Sequence, residues 1–295
     1  MDLTPWIALS LTDHIGSKTF AALLAHFGDD PHAILDAPLD ELQQVPGVGS
    51  KIASSIQAIN LDQIADNLGK WAEAGLSIAL LNQPDTRYPR NLLDQLVDDP
   101  PLTLFMRKPW QPVFDHAAAI VGTRAPTPQA AAVAQQLGQM LAENDITVVS
   151  GLARGIDTAA HEGALAVQTG RAVVVLGSGV QNIYPPENAQ LAQDCLQRGC
   201  ILSEVAPDAP PSAPRLVARN RIISGLSHAV IVVETPADGG AMHAARFAHR
   251  QGRPVFTLDL PASGNQTLLE NGALCLNTDL SNLDLLLSGL ENHHA

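Results

Sequence analysis

With 295 residues, 46% of them hydrophobic, the chain is long enough for one large domain with a sizeable core and a smaller companion. Its 17 Lys and Arg against 30 Asp and Glu leave a formal net charge of −13, which argues against a surface that is basic throughout and leaves nucleic acid at most a local pocket. Cys195, Cys200 and Cys275 form no Cys-x-x-Cys pair, so neither a disulfide framework nor zinc is suggested; with no leader-like start and no apolar run of roughly 18 residues, the expectation is a cytoplasmic protein without membrane attachment.

Residues 1–81 read as a compact helical module. Phe20, Leu23, Leu24 and Phe27 recur at helical spacing, as do Ile52, Ile56 and Ile59, with Pro, Gly and Asp breaks between. Within it the run Val45-Pro46-Gly47-Val48-Gly49-Ser50-Lys51-Ile52-Ala53 fits a helix–hairpin–helix, in which Gly47 and Gly49 permit a tight turn and the second helix opens with unpaired N–H groups and Lys51. Such a turn can hold a strand or duplex phosphate without reading bases. Ile15-Gly16-Ser17-Lys18-Thr19-Phe20 is a degenerate echo of it. Hairpins that only pack helices would look the same, and both readings stay open here.

Residues 82–116 carry Pro84, Pro89, Pro100, Pro101, Pro109 and Pro112, a density that breaks regular elements and marks a connecting segment, with one short strand expected at 102–106. From 117 to 295 the pattern alternates. Apolar strands are expected at 117–121, 146–149, 172–176, 201–203, 228–234 and 254–258, and helices at 129–143, 157–168, 188–198, 219–226 and 240–251. Strands without polar alternation, separated by helices, indicate a doubly wound, Rossmann-like α/β domain with a parallel sheet covered on both faces. A short element at 274–276 and a helix at 279–287 follow, leaving too few residues for a winged helix; His293 and His294 read as a frayed end.

In such a sheet, ligands collect at the carboxyl ends of the strands, where helix amino termini point. The glycine-bearing loops fall there. Gly122-Thr123-Arg124 follows the first strand, Ser150-Gly151 with Arg154-Gly155 the second, and Gly177-Ser178-Gly179 the third, while Arg219-Asn220-Arg221 opens a later helix. Each loop alone is an ordinary βα turn; together, with Arg124, Arg154, Arg219 and Arg221, they read as a pocket for phosphate, since the guanidinium fork grips phosphate bidentately and stacks on bases. Asp157 is placed to cap the helix after Gly155. Its four-residue spacing from His161 would suit two metal ligands, but with no third ligand evident no metal is expected. Gly-x-Gly-x-x-Gly after the first strand, a Walker-type Gly-Lys-Ser/Thr and a Gly-x-Ser-x-Gly elbow are all missing, so no dinucleotide cofactor and no catalytic residue is assigned.

Four runs carry a family resemblance: Val121 to Arg124, Ser150 to His161, Leu176 to Gly179 continuing through Tyr184-Pro185-Pro186-Glu187-Asn188, and Ala218 to Ser227. In order and spacing, across about half the chain, they resemble the DNA-processing protein A family (DprA, also called Smf). The resemblance implies a non-enzymatic, cytoplasmic, homodimeric protein that binds single-stranded DNA and loads the RecA recombinase onto it during natural transformation, with a paired helix–hairpin–helix unit at its start. It also implies that Arg124, Arg219 and Arg221 contact DNA. Two places depart from the family pattern: Leu216-Val217 replaces a Phe-Pro pair shortly before Arg219, and Gly239-Gly240-Ala241-Met242-His243-Ala244-Ala245 replaces Ser-Gly-Ser-Leu-Ile-Thr-Ala. Two other readings remain. Nucleoside-monophosphate phosphoribohydrolases have a similar core, and this chain offers Glu234 and Gly239-Gly240 but no second glutamate to assist glycosidic cleavage. A degenerate family member acting as sensor or scaffold would fit the acidic charge.

Overall fold

The computed structural model describes residues 2–81, 83, 87–94, 97 and 99–291; Pro84, His293 and His294 lie outside them. The chain opens with six helices: α1 (Thr4–Ser10), α2 (Ser17–His26), α3 (Pro31–Asp36), α4 (Leu39–Leu42), α5 (Ser50–Gln57) and α6 (Leu61–Glu73). Local chemistry starts two of them, the Asp30 carboxylate accepting from the His32 N–H and the Asn60 side chain from the Gln63 N–H. The apolar positions at helical spacing converge on one small core in which Phe20, Leu23, Leu24, Ile34, Val48 and Ile56 are buried.

After the helices come β1 (Leu76–Leu80), β2 (Thr103–Arg107), β3 (Ala117–Val121), α7 (Pro128–Glu143), β4 (Thr147–Ser150), α8 (Ile156–Ala166), β5 (Ala172–Val175), α9 (Ala189–Arg198), β6 (Cys200–Ser203), α10 (Ala213–Ala218) and α11 (Asn220–Gly225). Then follow β7 (Ala229–Val232), α12 (Ala241–Arg250), β8 (Val255–Leu258), α13 (Ser263–Glu270), β9 (Leu274–Leu276) and α14 (Asp284–Glu291). The strands form one sheet in the order β1-β2-β6-β5-β4-β3-β7-β8-β9. From β6 across to β9 every pairing is parallel. In β3 to β7 every residue is buried, and alternate side chains enter opposite cores. Ala117, Ala119 and Val121 meet Ile222 and Met242 on one face, while Ala118 and Ile120 meet Leu137 and Ala160 on the other.

The doubly wound expectation holds, with two differences. β1 pairs antiparallel with β2, and β2 antiparallel with β6, so the sheet is mixed and draws on residues from both sides of the 81/82 and 116/117 boundaries. Ile7 of α1 and Trp71 of α6 are buried in the same core as Phe105 and Val174, so the opening helices also cover the sheet. Second, the helix expected at 219–226 is α11, and a further short helix that the sequence reading did not expect, α10, precedes it and meets it at Arg219; α10 is started by the Ser212 side chain and by Pro214 in its first turn.

The order of strands reverses between β3 and β7: from β3 the chain winds outward through β4, β5 and β6, and from β7 it winds the other way. At such a switch point the two adjacent crossovers leave on opposite faces, opening a crevice beyond the strand ends.

Candidate nucleic-acid interface

Beyond the carboxyl ends of β3 and β7 lies a cleft of about 640 Å3, bounded by Thr123 and Arg124, Tyr184, Leu216, Asn220 and the Gly239-Gly240-Ala241 start of α12. Backbone bonds fix its floor. The Thr123 N–H donates to the Glu234 carbonyl at 2.7 Å and the Ile156 N–H to the Thr123 carbonyl at 3.2 Å, which ties the loops after β3, β4 and β7 together. Gly155, at φ +76°, makes the close approach possible, since a Cβ there would lie 2.6 Å from the Thr123 carbonyl oxygen. Arg124 projects from this junction. It is exposed and has no ion-pair partner among the described residues. α12, ten residues long, starts at the cleft without a side-chain cap; its Met242 and His243 N–H groups donate to the Gly239 and Gly240 carbonyls at 3.1 Å, so it is the positive end of the helix dipole that favours an anion there.

Arg219 is built differently. Only 6% exposed, it reaches under the loop after β4. Its Nη1 donates to the Gly151 carbonyl at 2.5 Å and the Val175 carbonyl at 2.7 Å, and its Nη2 lies 3.8 Å from an Asp157 carboxylate oxygen. Gly151 is what makes room, because a Cβ at that position would stand 1.6 Å from Nη1. The Asp157 carboxylate in turn accepts the Gly151 and Ala153 N–H groups at 3.1 and 3.2 Å. Burial raises the Asp157 carboxyl above its ordinary range, against the pull of Arg219 and the two loop N–H groups. Asp157 therefore braces the loop that precedes its helix, and Arg219 straps the ends of β4 and β5 together.

The remaining candidates divide by location. Arg154 is 66% exposed and ion-paired with Glu187, at a smaller recess that it shares with Arg124 and Tyr184. Ser150 is buried and donates through Oγ to the Ile120 carbonyl at 2.6 Å. Gly177, Ser178 and Gly179 do not face the cleft. Ser178 Oγ donates to the Asn182 carbonyl, the Gly179 N–H donates to the Ala209 carbonyl, and Gly177 packs on the backbone of Leu216. Arg221 is the clearest correction to the expectation of one arginine pocket. Its guanidinium grips both Glu204 oxygens at 2.8 and 2.7 Å and Asp99 at 3.3 Å, in a separate cavity of about 520 Å3 between the opening helices and the sheet.

In the helical part, Gly47 (φ +86°) turns the chain between α4 and α5, Gly49 precedes α5 in extended conformation, and the Lys51 ammonium lies 2.8 Å from His14 Nε2. The start of α2 already holds a carboxylate: Asp99 accepts from Ser17 Oγ at 2.9 Å and from the Ser17 N–H at 3.4 Å. Among the described residues, no three His, Cys, Asp or Glu groups gather around a possible metal, and no helix is long and apolar enough to cross a membrane. Glu234, the acid of the hydrolase reading, accepts the Thr127 N–H at 2.7 Å and so helps cap α7.

Sequence spacing misses Tyr184, Pro211 and the α12 start as parts of the cleft, because all three reach it through long-range folding. Its strongest signal, Arg219 next to Arg221, combines a buried strap that lines the cleft with a residue of another cavity.

His161 lies fully buried near Arg219, with neither ring nitrogen hydrogen-bonded, and burial, followed by the Arg219 charge, lowers its pKa from 6.5 to about 3. Such a histidine is neutral in the folded protein while the unfolded chain takes up a proton below pH 6.5. Stability is therefore intact above that pH and is lost progressively as pH falls toward 3. At a pH of about 4.5 the loss is about 2–3 kcal/mol from this group alone. Denaturant titrations of wild type and His161→Leu at pH near 7.5 and 4.5 measure it, and an equal acid loss in both would refute it.

The DNA recombination-mediator protein A family matches residues 79–285. The Synechocystis protein Smf is 35% identical over 283 residues, covering 91% of this chain and 68% of the relative; of the Escherichia coli protein Smf, 38% identical, the chain spans only 55%. Among solved structures, DNA processing protein A from Streptococcus pneumoniae superposes with a TM-score of 0.78 at 26% identity, covering 97% of this chain and 98% of that one. DNA processing protein A from Helicobacter pylori, whose structure describes a single-stranded DNA binding mode, superposes with a TM-score of 0.63 at 31% identity over 72% of this chain and 96% of that one. With both its sheet and its sequence matched in this way, the chain belongs to the DNA recombination-mediator protein A family.

Proposed function

We propose that this chain binds single-stranded DNA backbone in the cleft at the β3/β7 switch point and presents the strand to RecA during natural transformation, acting in the cytoplasm as a homodimer and without catalysis of its own. The observation that carries the reading is Arg124, a guanidinium with no ion-pair partner among the described residues, beside the uncapped start of α12. A guanidinium charge and the positive end of a helix dipole thus border one open space, an arrangement that favours phosphate. The single-stranded DNA binding described for the Helicobacter pylori protein supports the choice of ligand. Of the other candidates, Thr123 and Asn220 border the cleft, while Gly122, Ser150, Gly151 and Gly155 shape it. Arg154 would take a phosphate in exchange for Glu187. Gly177, Ser178, Gly179 and Arg221 act through the frame, and Arg219, which lines both the cleft and the recess while almost wholly buried, braces the wall from within. The turn at Gly47, Gly49 and Lys51 serves as an accessory backbone contact, since the start of α5 has no side-chain cap.

The test follows RecA assembly on strands already coated with single-strand-binding protein. Adding this protein should shorten the lag severalfold, and affinity should rise with oligonucleotide length over several nucleotides. Length-independent binding of mononucleotides with release of free base, and no effect on RecA, would replace the mediator by a hydrolase.

A further inference from the structure

Three consecutive carbonyls in the loop after β4 each accept a hydrogen bond from a side chain outside the loop. Gly151 is held by Arg219, Leu152 by Asn188 Nδ2 at 2.9 Å, and Ala153 by Thr158 Oγ1 at 2.8 Å. Asn188 Nδ2 also donates to Thr158 Oγ1 at 2.9 Å, so the bonds run in one direction, from the amide through the hydroxyl to the Ala153 carbonyl. A carbonyl only accepts, which fixes the amide nitrogen on this side. Asn188 is itself held: it is 9% exposed, and its N–H donates to the Pro185 carbonyl at 3.1 Å.

The loop needs such a hold. Leu152 has φ +63°, a left-handed conformation that its Cβ disfavours, while its side chain is fully buried in the same core as Leu176, Val180 and Ala192. Between Leu152 and Gly155 lies Arg154, which lines the recess that Arg124 also lines and is ion-paired with Glu187, the residue before Asn188. We propose that Asn188 is a positioning residue for the strand: it holds the loop after β4 in its left-handed turn and so keeps Arg154 at the recess, where it serves the same strand as Arg124. The inference rests on the strand-binding function proposed above. Glu187 and Asn188 thereby act on one loop in two ways, the first on its cation and the second on its backbone. Without the amide, Leu152 relaxes toward negative φ and Arg154 leaves the recess. Arg124 stays, because its junction is tied through Thr123 to Glu234 and Ile156, and neither bond involves Asn188.

The experiment is a pair of double-mutant cycles, read by fluorescence anisotropy on an oligothymidylate, that cross Asn188→Leu with Arg154→Ala and with Arg124→Glu. Leucine keeps the volume of the asparagine and removes the donor. Thermal unfolding and circular dichroism establish that each variant is native at the assay temperature. Arg154→Ala should weaken binding about fivefold in the wild-type background and not at all beside Asn188→Leu, which alone should weaken it about as much and make the salt slope shallower by about 0.7. Arg124→Glu should keep its full effect in both backgrounds. A residue that merely stabilises the fold would leave the Arg154 effect intact or diminish both arginines together, and either result overturns the proposal. If Asn188→Leu does not fold, Thr158→Val, which cuts the same chain of bonds at the hydroxyl, takes its place in both cycles with the same expectations. Wild type that binds the strand with no contribution from Arg154 removes the positioning role alone; wild type that binds no strand removes the strand-binding function itself.

Discussion

Replacing Arg219 with methionine should lower the stability of the folded protein by about 3–5 kcal/mol, the usual cost of removing one partner from a buried, hydrogen-bonded charge pair. Methionine fills most of the space of the arginine stem, so the loss is electrostatic rather than a cavity. It strands the Gly151 and Val175 carbonyls, each bonded at present to Nη1, and leaves Asp157 without its cation in a site where it is 3% exposed. Some of that cost is recovered by protonation, because burial already raises the Asp157 carboxyl. Arg219→Lys rescues little: an ammonium can reach one carbonyl or the carboxylate but lacks the planar fork that spans β4 and β5. Thermal and urea denaturation check this directly, with a fall in Tm of roughly 10 °C expected. If Arg219→Met melts like wild type and loses only DNA affinity, Arg219 is a ligand contact and not a strap.

That outcome bears on what could be read from the chain. The parallel core was legible because strands covered on both faces are apolar at every position, as in Ala172–Val175, and such runs differ visibly from amphipathic helices. β1 was not. Leu76–Leu80 is an edge strand only half-buried over its first three residues, and its pairing partner β2 lies beyond a proline-rich stretch. Arg219 and Arg221 illustrate a different limit. Side chains two apart on a helix diverge by about 200° around its axis, so neighbours in sequence leave on opposite sides. Here one turns to the ends of β4 and β5 and the other to Glu204 and Asp99. No local pattern announces which is buried; that depends on the missing side chain of Gly151, 68 residues away. Glu234 is similar, an acid at the right strand end that caps α7 through the Thr127 N–H, 107 residues away in the chain.

Arg124→Glu should reduce affinity for single strands by about a hundredfold while leaving Tm unchanged. The substitution removes a charge-assisted phosphate contact, on the order of 1–3 kcal/mol, and adds repulsion between the new carboxylate and the strand. The effect on folding is small because the Arg124 side chain is exposed and bonded to nothing in the described structure. Salt dependence provides a second, independent reading. Each phosphate neutralised on a single strand contributes a log–log slope of about −0.7, and of the four arginines read from the sequence only Arg124 and Arg154 remain exposed for exchange with solvent ions. The slope expected from the cleft, without the accessory turn at Lys51, is therefore about −1.4, shallow for a phosphate-binding surface and in keeping with a body of net charge −13. Arg124→Glu should bring it to about −0.7 or less, and Glu187→Gln, which frees Arg154 from its ion pair, should raise affinity severalfold without steepening it much. A wild-type slope near −3 would mean that Arg219 and Arg221 leave their carboxylates to meet the strand. A slope unchanged by Arg124→Glu would move the phosphate site out of the β3/β7 cleft altogether.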